Sequence, residues 1–336
     1  MKGMVIFMNK APLISVIIPV YNGEKRLPLC LDSIKKQTYP QDKIEIIIVD
    51  DDSTDNTVKL AKEKYGCKVY RNGTHNPERG KSIGIEYANG EYLFFIDDDN
   101  ELVHKTTLAT LVKAVIKENA NGGQIAKFHY DESLSMADKY AALYGTADPA
   151  VYYLDKCDHL KWTDKRWTLS GTVEKSEKKY YLMKFTEKNL PTIGSQGFLI
   201  KKELVKMVHW QPFFYHIDSN VELIRLGFDK YVILKDSIIH RHSSSVGEMV
   251  SKMRRNAGKW GNKDEDREFS YNLTMPKMIK LGLCLGTFVI PLCESIQGYK
   301  KYKSTAWFIH PFFCFYTACI YTWSTLKSKS AWKSLK

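Results

Sequence analysis

The seven cysteines of this 336-residue chain form no Cys-x-x-Cys pair and no metal-binding spacing, which argues against a zinc module or a redox centre. Cys30, Cys284, Cys293, Cys314 and Cys319 lie in apolar segments and read as small hydrophobes in a reducing compartment. No Gly-x-Gly-x-x-Gly follows the first apolar run, which argues against a dinucleotide oxidoreductase. No Gly-x-x-x-x-Gly-Lys-Ser/Thr loop occurs, which argues against a P-loop NTPase. The amino-terminal MKGMVIFMNKAPL has too short an apolar stretch and no cleavage pattern for a secretory signal. Internal repeats and low-complexity tracts are missing too. The net charge is +12, yet no finger, basic zipper or interleaved stacking motif accompanies it, so nucleic acid is not the expected partner.

What is present is sharper. Residues 92–101 read YLFFIDDDNE, an apolar run that stops on Asp97, Asp98 and Asp99. Three like charges at a strand end repel one another unless a cation sits among them. A hard divalent ion, Mg²⁺ or Mn²⁺, bridging to a phosphate suits oxygen ligands of this kind. Upstream, residues 13–20 (LISVIIPV) and 44–49 are buried-strand runs, and a shorter strand lies near residues 68–71. Helical spacing of Leu27, Cys30, Leu31 and Ile34, and helices over about 55–65 and 80–88, alternate with them. Strands alternating with helices imply a parallel sheet whose ligand sits at the carboxyl ends of the strands. Tyr21-Asn22, Asp50-Asp51 and Asp97–Asp99 all fall there. Without a phosphate-cradling loop, a metal held by carboxylates is the expected substitute.

These segments resemble a known family. PLISVIIPVYNGEKRLPLCLDSIKKQTYP, IEIIIVDDDSTDNT and GKSIGIEYANGEYLFFIDDDNEL are similar to the nucleotide-sugar half of family 2 glycosyltransferases. The likeness is continuous over 12–102 and weaker to about 245. It implies an α/β GT-A fold, a Rossmann-like, mostly parallel sheet flanked by helices. By the same resemblance Pro19, Val20 and Tyr21 line the nucleobase, and Asp51 accepts a hydrogen bond from it. Asp52 stands where the family has glycine. Lys81, near Arg79, stands where the family usually has Arg, and neutralises phosphate as a point charge without a bidentate fork. Asp97 and Asp99 match the DxD pair that holds metal and diphosphate, with Asp98 between them.

In the second half, TIGSQGFL (192–199) resembles the acceptor-side loop, with Gly197 either allowing close backbone approach to substrate or making an ordinary tight turn. HIDSNVELIRLGF resembles EDxDLxxRLxxxGY, with His216 in place of the first acid. Asp218 is then the expected catalytic base, with Glu222 as the alternative one helical turn on, and Arg225 positioning the helix through an ion pair. Inverting transfer needs such a base to deprotonate the acceptor hydroxyl while a metal stabilises the departing diphosphate. His240 matches a strand-ending histidine that joins the metal contacts, and His242 is a weaker candidate. Residues 147–190 read as a hairpin or flap, with Trp162 and Trp167 stacking on a sugar or packing on the sheet.

The expected organisation is an extension at 1–11, a GT-A domain at 12–245 (halves 12–102 and 103–245), and a helical, apolar and basic region at 246–336. Residues 281–292 and 305–323 are apolar, the latter long enough to reach across a hydrocarbon core, but Lys clusters flank both ends and specify no orientation. The expectation is a helical hairpin dipping into one leaflet or lying along it at the cytoplasmic face of the cell membrane, with a two-span anchor as the alternative. A buried helix pair or an oligomer interface is the competing reading. The function expected is metal-assisted transfer from a nucleotide diphosphate sugar, UDP-sugars favoured, to a lipid-linked or glycan acceptor. The alternative is a non-catalytic nucleotide-sugar or lipid-surface binding module on the same fold.

Overall fold

The computed structural model describes residues 11–260, 268–269, 271 and 274–327. All but the last residue of the expected amino-terminal extension lies outside them, as do Lys329, Lys333 and Lys336. Contacts divide the chain into two compact units, Met1–Ala126 with Gly171–His240, and Lys127–Ser170 with Arg241–Lys336. The last junction lies between His240 and Arg241. Residues 127–170, however, group with the carboxyl-terminal part rather than with the acceptor half.

The first unit begins with β1 (Ile14–Val20), α1 (Leu27–Lys35), β2 (Ile44–Asp50), α2 (Thr57–Lys59, continued as a wider turn to Lys64), β3 (Lys68–Arg71), α3 (Pro77–Tyr87) and β4 (Tyr92–Phe95). Ile14, Val16, Ile17 and Ile18 are all fully buried. A continuous apolar strand of this kind is stable only with both faces covered, each such side chain contributing about 1.5–3 kcal/mol by burial. β1 accordingly runs parallel to β2 on one side and β4 on the other, and β2 pairs parallel with β3. Asn76 caps α3 by accepting from the Glu78 amide, with Pro77 in its first turn.

Beyond β4 the sheet turns mixed. β5 (Asn100–Leu102), α4 (Thr107–Lys117) and β6 (Gly122–Phe128) follow, with α5 (Met136–Tyr144) and α6 (Pro149–Tyr153) in the second unit. A hairpin of β7 (Thr172–Ser176) and β8 (Tyr180–Lys184), then β9 (Phe198–Lys201), α7 (Lys202–Val205), α8 (His216–Arg225) and β10 (Lys230–His240), complete the first unit. The order across the sheet is β3-β2-β1-β4-β9-β6-β10-β8-β7, and β5 pairs with β10. β9 is antiparallel to β4, and β5 antiparallel to β10, with Asn100 opposite His240. That last pairing brings the end of a long strand beside the aspartate cluster.

The second unit continues with α9 (Val246–Trp260), α10 (Met275–Gly286), α11 (Val289–Lys301), a 3₁₀ turn at Thr305–Ile309 and α12 (His310–Lys327). Among the described residues no single helix is long and apolar enough to cross a membrane. The 281–292 run is broken at Thr287–Phe288, where α10 and α11 bend by 71°. The 305–323 run is also divided between two elements, and it buries Trp307, His310, Phe313 and Cys314 within its own unit.

Candidate functional site

The loops after β1 and β2 are laced together at the carboxyl ends of their strands. The Asn22 amide donates to Ser53 Oγ (2.9 Å), the Gly23 amide to Thr57 Oγ1 (2.8 Å) and the Glu24 amide to Asp55 Oδ2 (3.1 Å). In return the Thr54 amide donates to Asn22 Oδ1 (2.8 Å). The Ser-Thr-Asp stretch therefore braces the neighbouring loop as well as starting α2. Asp52, in glycine's place, takes a left-handed φ of 62°, a conformation that Asp tolerates better than most residues. Arg71 holds its carboxylate from Nε (2.5 Å) and Nη2 (3.1 Å) and lowers its pKa.

Asp51 accepts from the His75 amide (2.8 Å), and His75 Nδ1 lies 3.8 Å from its other oxygen. The half-exposed Tyr21 ring meets His75 edge-on at 6.0 Å. His75 thus stands between Tyr21 and Asp51 at the carboxyl ends of β1 and β2. Sequence reasoning missed His75, because a histidine in an Asn-Gly-Thr-His turn carries no motif.

The three aspartates are treated differently. Asp98 turns onto Arg26, accepting from Nε (3.1 Å) and Nη2 (2.9 Å). It lies so close to Gly23 that a Cβ there would stand 2.7 Å from its carboxylate. Asp98, expected with its neighbours to bind the nucleotide sugar, thus has one oxygen engaged by Arg26, tying the loop after β4 to the residue before α1. Burial, with Asp99 beside it, still pushes the Asp98 carboxyl up to about 6 against the pull of Arg26. Burial pushes Asp97 up to about 7; Lys81 opposes the shift, while Asp99 and Asp98 add to it.

Asp99 Oδ1 lies 3.6 Å from His240 Nε2, and Gln196 Nε2 lies 3.4 Å from the same nitrogen. Asp99, Gln196 and His240 thus stand together at the ends of β4, β9 and β10. Among the described residues, however, no group of three or more His, Cys, Asp or Glu side chains is placed to hold a metal ion. The donor chemistry nonetheless fits a hard divalent cation. Buried carboxylates that resist ionising together are relieved by one, and their oxygens suit Mg²⁺ or Mn²⁺ with substrate oxygens completing the shell.

Lys81 is buried, with Nζ at 3.3 Å from both oxygens of Glu78. Burial works against its charge, but Glu78 and Asp97 more than offset that and raise its pKa. Burial likewise opposes the Glu78 carboxylate, yet Lys81 and His216 hold it down at about 2. His216 Nδ1 stands 3.9 Å from Glu78 Oε2 at the start of α8. The histidine that replaces the family acid therefore faces an acid supplied by α3.

Asp218, two residues on, is buried on the same helix. Glu222 instead accepts from the His209 amide (2.9 Å), which commits it to the preceding loop. Arg225 does make an ion pair, with Glu187 (2.9 Å). Arg79 donates to the Pro212 carbonyl (3.2 Å), fastening that loop to α3. Gly197 has a φ of 73°, and its missing Cβ would come within 2.7 Å of Ile125. Its left-handed backbone and the packing of Ile125 against it both require glycine at this turn. In the second unit Trp167 donates to the Ser170 carbonyl (3.0 Å), Trp162 meets His129 edge-on at 5.3 Å, and His242 contacts Ser243 Oγ (2.8 Å).

The profile of glycosyl transferase family 2 matches residues 15–206, more than half of the chain. The chain is 35% identical over 126 residues to glycosyltransferase GlyG of Streptococcus pneumoniae, covering 36% of this chain and 41% of that one. It is 30% identical over 201 residues to the 4,4'-diaponeurosporenoate glycosyltransferase of Staphylococcus haemolyticus, covering 56% and 50%. The chain thus spans half or less of the length of these curated relatives. Among solved structures it is similar to the mannosyltransferase PcManGT of Pyrobaculum calidifontis, in complex with GDP-Man and Mn²⁺, with a TM-score of 0.54 and 14% identity. That likeness covers 96% of this chain and 95% of the other, and it supports the fold alone. With a parallel βα half closed by antiparallel strands, and this profile match, the chain belongs to glycosyl transferase family 2 and has the GT-A fold.

Proposed function

We propose that the protein is an inverting glycosyltransferase that moves a sugar from a nucleotide diphosphate sugar to a lipid-linked or glycan acceptor at the cytoplasmic face of a membrane. The observation that carries this reading is the convergence at the strand ends: the Tyr21–His75–Asp51 contacts on one side, and Asp97, Asp99, Lys81 and His240 on the other.

In this reading Asp51 accepts a hydrogen bond from the nucleobase, beside Tyr21 and the β1 end at Pro19 and Val20. Asp99, beside His240, would hold Mg²⁺ or Mn²⁺, with Asp97 and phosphate oxygens of the donor drawn in to complete the shell; PcManGT, described with Mn²⁺ and GDP-Man, supports a divalent ion. When bound, the ion supplies positive charge to the leaving diphosphate. Lys81, kept protonated by Glu78 and Asp97, adds a fixed charge to the same end of the site. Asp218 takes the proton from the acceptor hydroxyl as that oxygen attacks the anomeric carbon from the face opposite the diphosphate, so the product has the inverted configuration. UDP-sugars are the favoured donors by family frequency.

The test is release of nucleoside diphosphate from UDP-glucose, UDP-N-acetylglucosamine, UDP-galactose and GDP-mannose, with Mn²⁺ or Mg²⁺ and with chelator. Turnover of at least one donor, lost on chelation and regained with metal, is expected. Tight nucleotide binding with no turnover on any donor or lipid-linked acceptor would favour the non-catalytic binding module. For that alternative, the observation in its favour is His216 in the place of an acid.

A further inference from the structure

The second unit presents an apolar surface that the transfer chemistry does not use. α10 buries Cys284 and Leu285 against Ala150, Tyr153 and Cys314, yet its opposite side exposes Met278, Ile279 and Leu283. A helix apolar on two faces needs a second apolar partner. Ile279, Leu283 and Ile290 line one shallow groove of about 430 Å³ with Lys280 at its edge. At the elbow between α10 and α11, Phe288 packs on Phe312 (5.7 Å) and Phe315 (5.5 Å) of α12, and all three rings are exposed. Groove and ring cluster thus flank the elbow, Ile290 in one being two residues from Phe288 in the other. Apolar exposure of this extent marks an interaction surface.

The charge around it selects the occupant. Between Met275 and Lys327 the sequence has six lysines and one carboxylate, Glu294. That carboxylate is turned inward, accepting from Tyr152 (3.1 Å) and Tyr153 (2.6 Å) and lying 3.3 Å from His310. Lys280, Lys300, Lys301 and Lys303 are exposed. A second copy of this face would set lysine against lysine, whereas an anionic lipid surface complements it. Helices of 12 and 13 residues are about 18–20 Å long, short of the roughly 30 Å of a hydrocarbon core.

We propose that the α10–α11 elbow, with Phe288, Ile290 and the exposed side of α12, is a docking surface that lies in one leaflet of an anionic bilayer, its lysines at the headgroups. This deepens the membrane part of the function proposed above by naming the surface, and its test needs no catalytic activity. It also moves the membrane-facing part away from the 305–323 run as a whole, since that run buries one side in its own unit.

The experiment is flotation of the full chain with phosphatidylcholine vesicles, with and without phosphatidylglycerol, alongside light scattering without lipid. Flotation only with phosphatidylglycerol, weakened by salt, is expected. Lys300→Glu with Lys301→Glu should weaken binding at least about fivefold for each lysine lost, and Phe288→Asp with Ile290→Asp should abolish it. The lysine variant alters only exposed positions at a helix end, so its result holds even if the elbow variant folds poorly. Absence of flotation at low salt, or wild-type flotation by the lysine variant, would overturn the proposal. So would self-association in solution that disappears in the elbow variant, which would assign the surface to a second copy.

Discussion

The two units handle polar and apolar groups in opposite ways. In the first, apolar strands fill the interior and polar side chains gather at one end of the sheet, where Asp51, Asp97, Asp99, Lys81 and His240 collect. In the second, a polar cluster is buried: Tyr140 and Tyr153 bond both nitrogens of His310 (2.9 and 3.0 Å), and Glu294 lies beside it. Half of the exposed large apolar side chains among the described residues lie on that unit's last three helices. A sheet that gathers charge at its strand ends is built to bind and transform a charged ligand. The helical unit hides its carboxylate and shows phenylalanine and lysine, the pattern on which the proposed docking surface rests.

The comparison breaks most severely at Asp99. Asp99→Asn keeps the shape and removes one charge, so transfer should fall by roughly 100- to 1,000-fold while the circular dichroism spectrum and melting temperature stay near wild type. Normal turnover at saturating metal would remove Asp99 from the site. Asp218→Asn should lower transfer by about 100-fold or more with nucleoside diphosphate affinity unchanged. If Glu222→Gln loses transfer and Asp218→Asn does not, the base lies one helical turn further on, despite the bond from the His209 amide.

In the second unit the expected effect is on stability. His310→Ala leaves two buried tyrosine hydroxyls and the inward carboxylate short of a partner and opens space among the rings of Tyr144 and Tyr140. The cost should be about 2–4 kcal/mol in denaturant unfolding, with nucleotide affinity retained. A loss of nucleotide affinity as large as the loss of stability would show that the two units do not divide the work in this way.

The smallest effect concerns acid. Glu45 is bonded by Lys68 (2.7 Å), Ser15 (2.6 Å) and Asn89 (2.7 Å). Burial opposes its charge, but these bonds hold the carboxyl at about 2, against 4.5 for a free one. A carboxyl depressed in the fold adds stability above pH 4.5, and that contribution fades as pH falls from 4.5 toward 2. Wild type should therefore be more stable than Glu45→Gln at pH 7, with the gap closing over that acid range. A gap independent of pH would assign the effect to packing.

How much of this could be read in the sequence follows the same division. The parallel half was legible because its strands are uninterrupted apolar runs and its polar residues fall in order at their ends. The contacts that refine the site were not. Arg26 reaches Asp98 across 72 positions and Gln196 reaches His240 across 44, and no local pattern encodes such meetings. Glu78 facing His216 is of the same kind. The apolar run at 305–323 shows a different limit. Hydropathy counts Phe312 and Phe313 alike, although Phe313 is buried and Phe312 is exposed. Only the packing of helices separates a side chain turned to the interior from one left exposed.

The central claim is that one strand-end site binds a nucleoside diphosphate through Asp51 and a divalent ion through Asp99. Calorimetric titration of UDP and GDP into the full chain, with Mn²⁺ and with chelator, tests it most directly when repeated with Asp51→Ala and Asp99→Asn. The expected result is binding of at least one of the two that needs Mn²⁺. Asp51→Ala should weaken it by about 1–3 kcal/mol, and Asp99→Asn should remove its dependence on the metal. Equal affinity in all three proteins, with and without Mn²⁺, would contradict the claim.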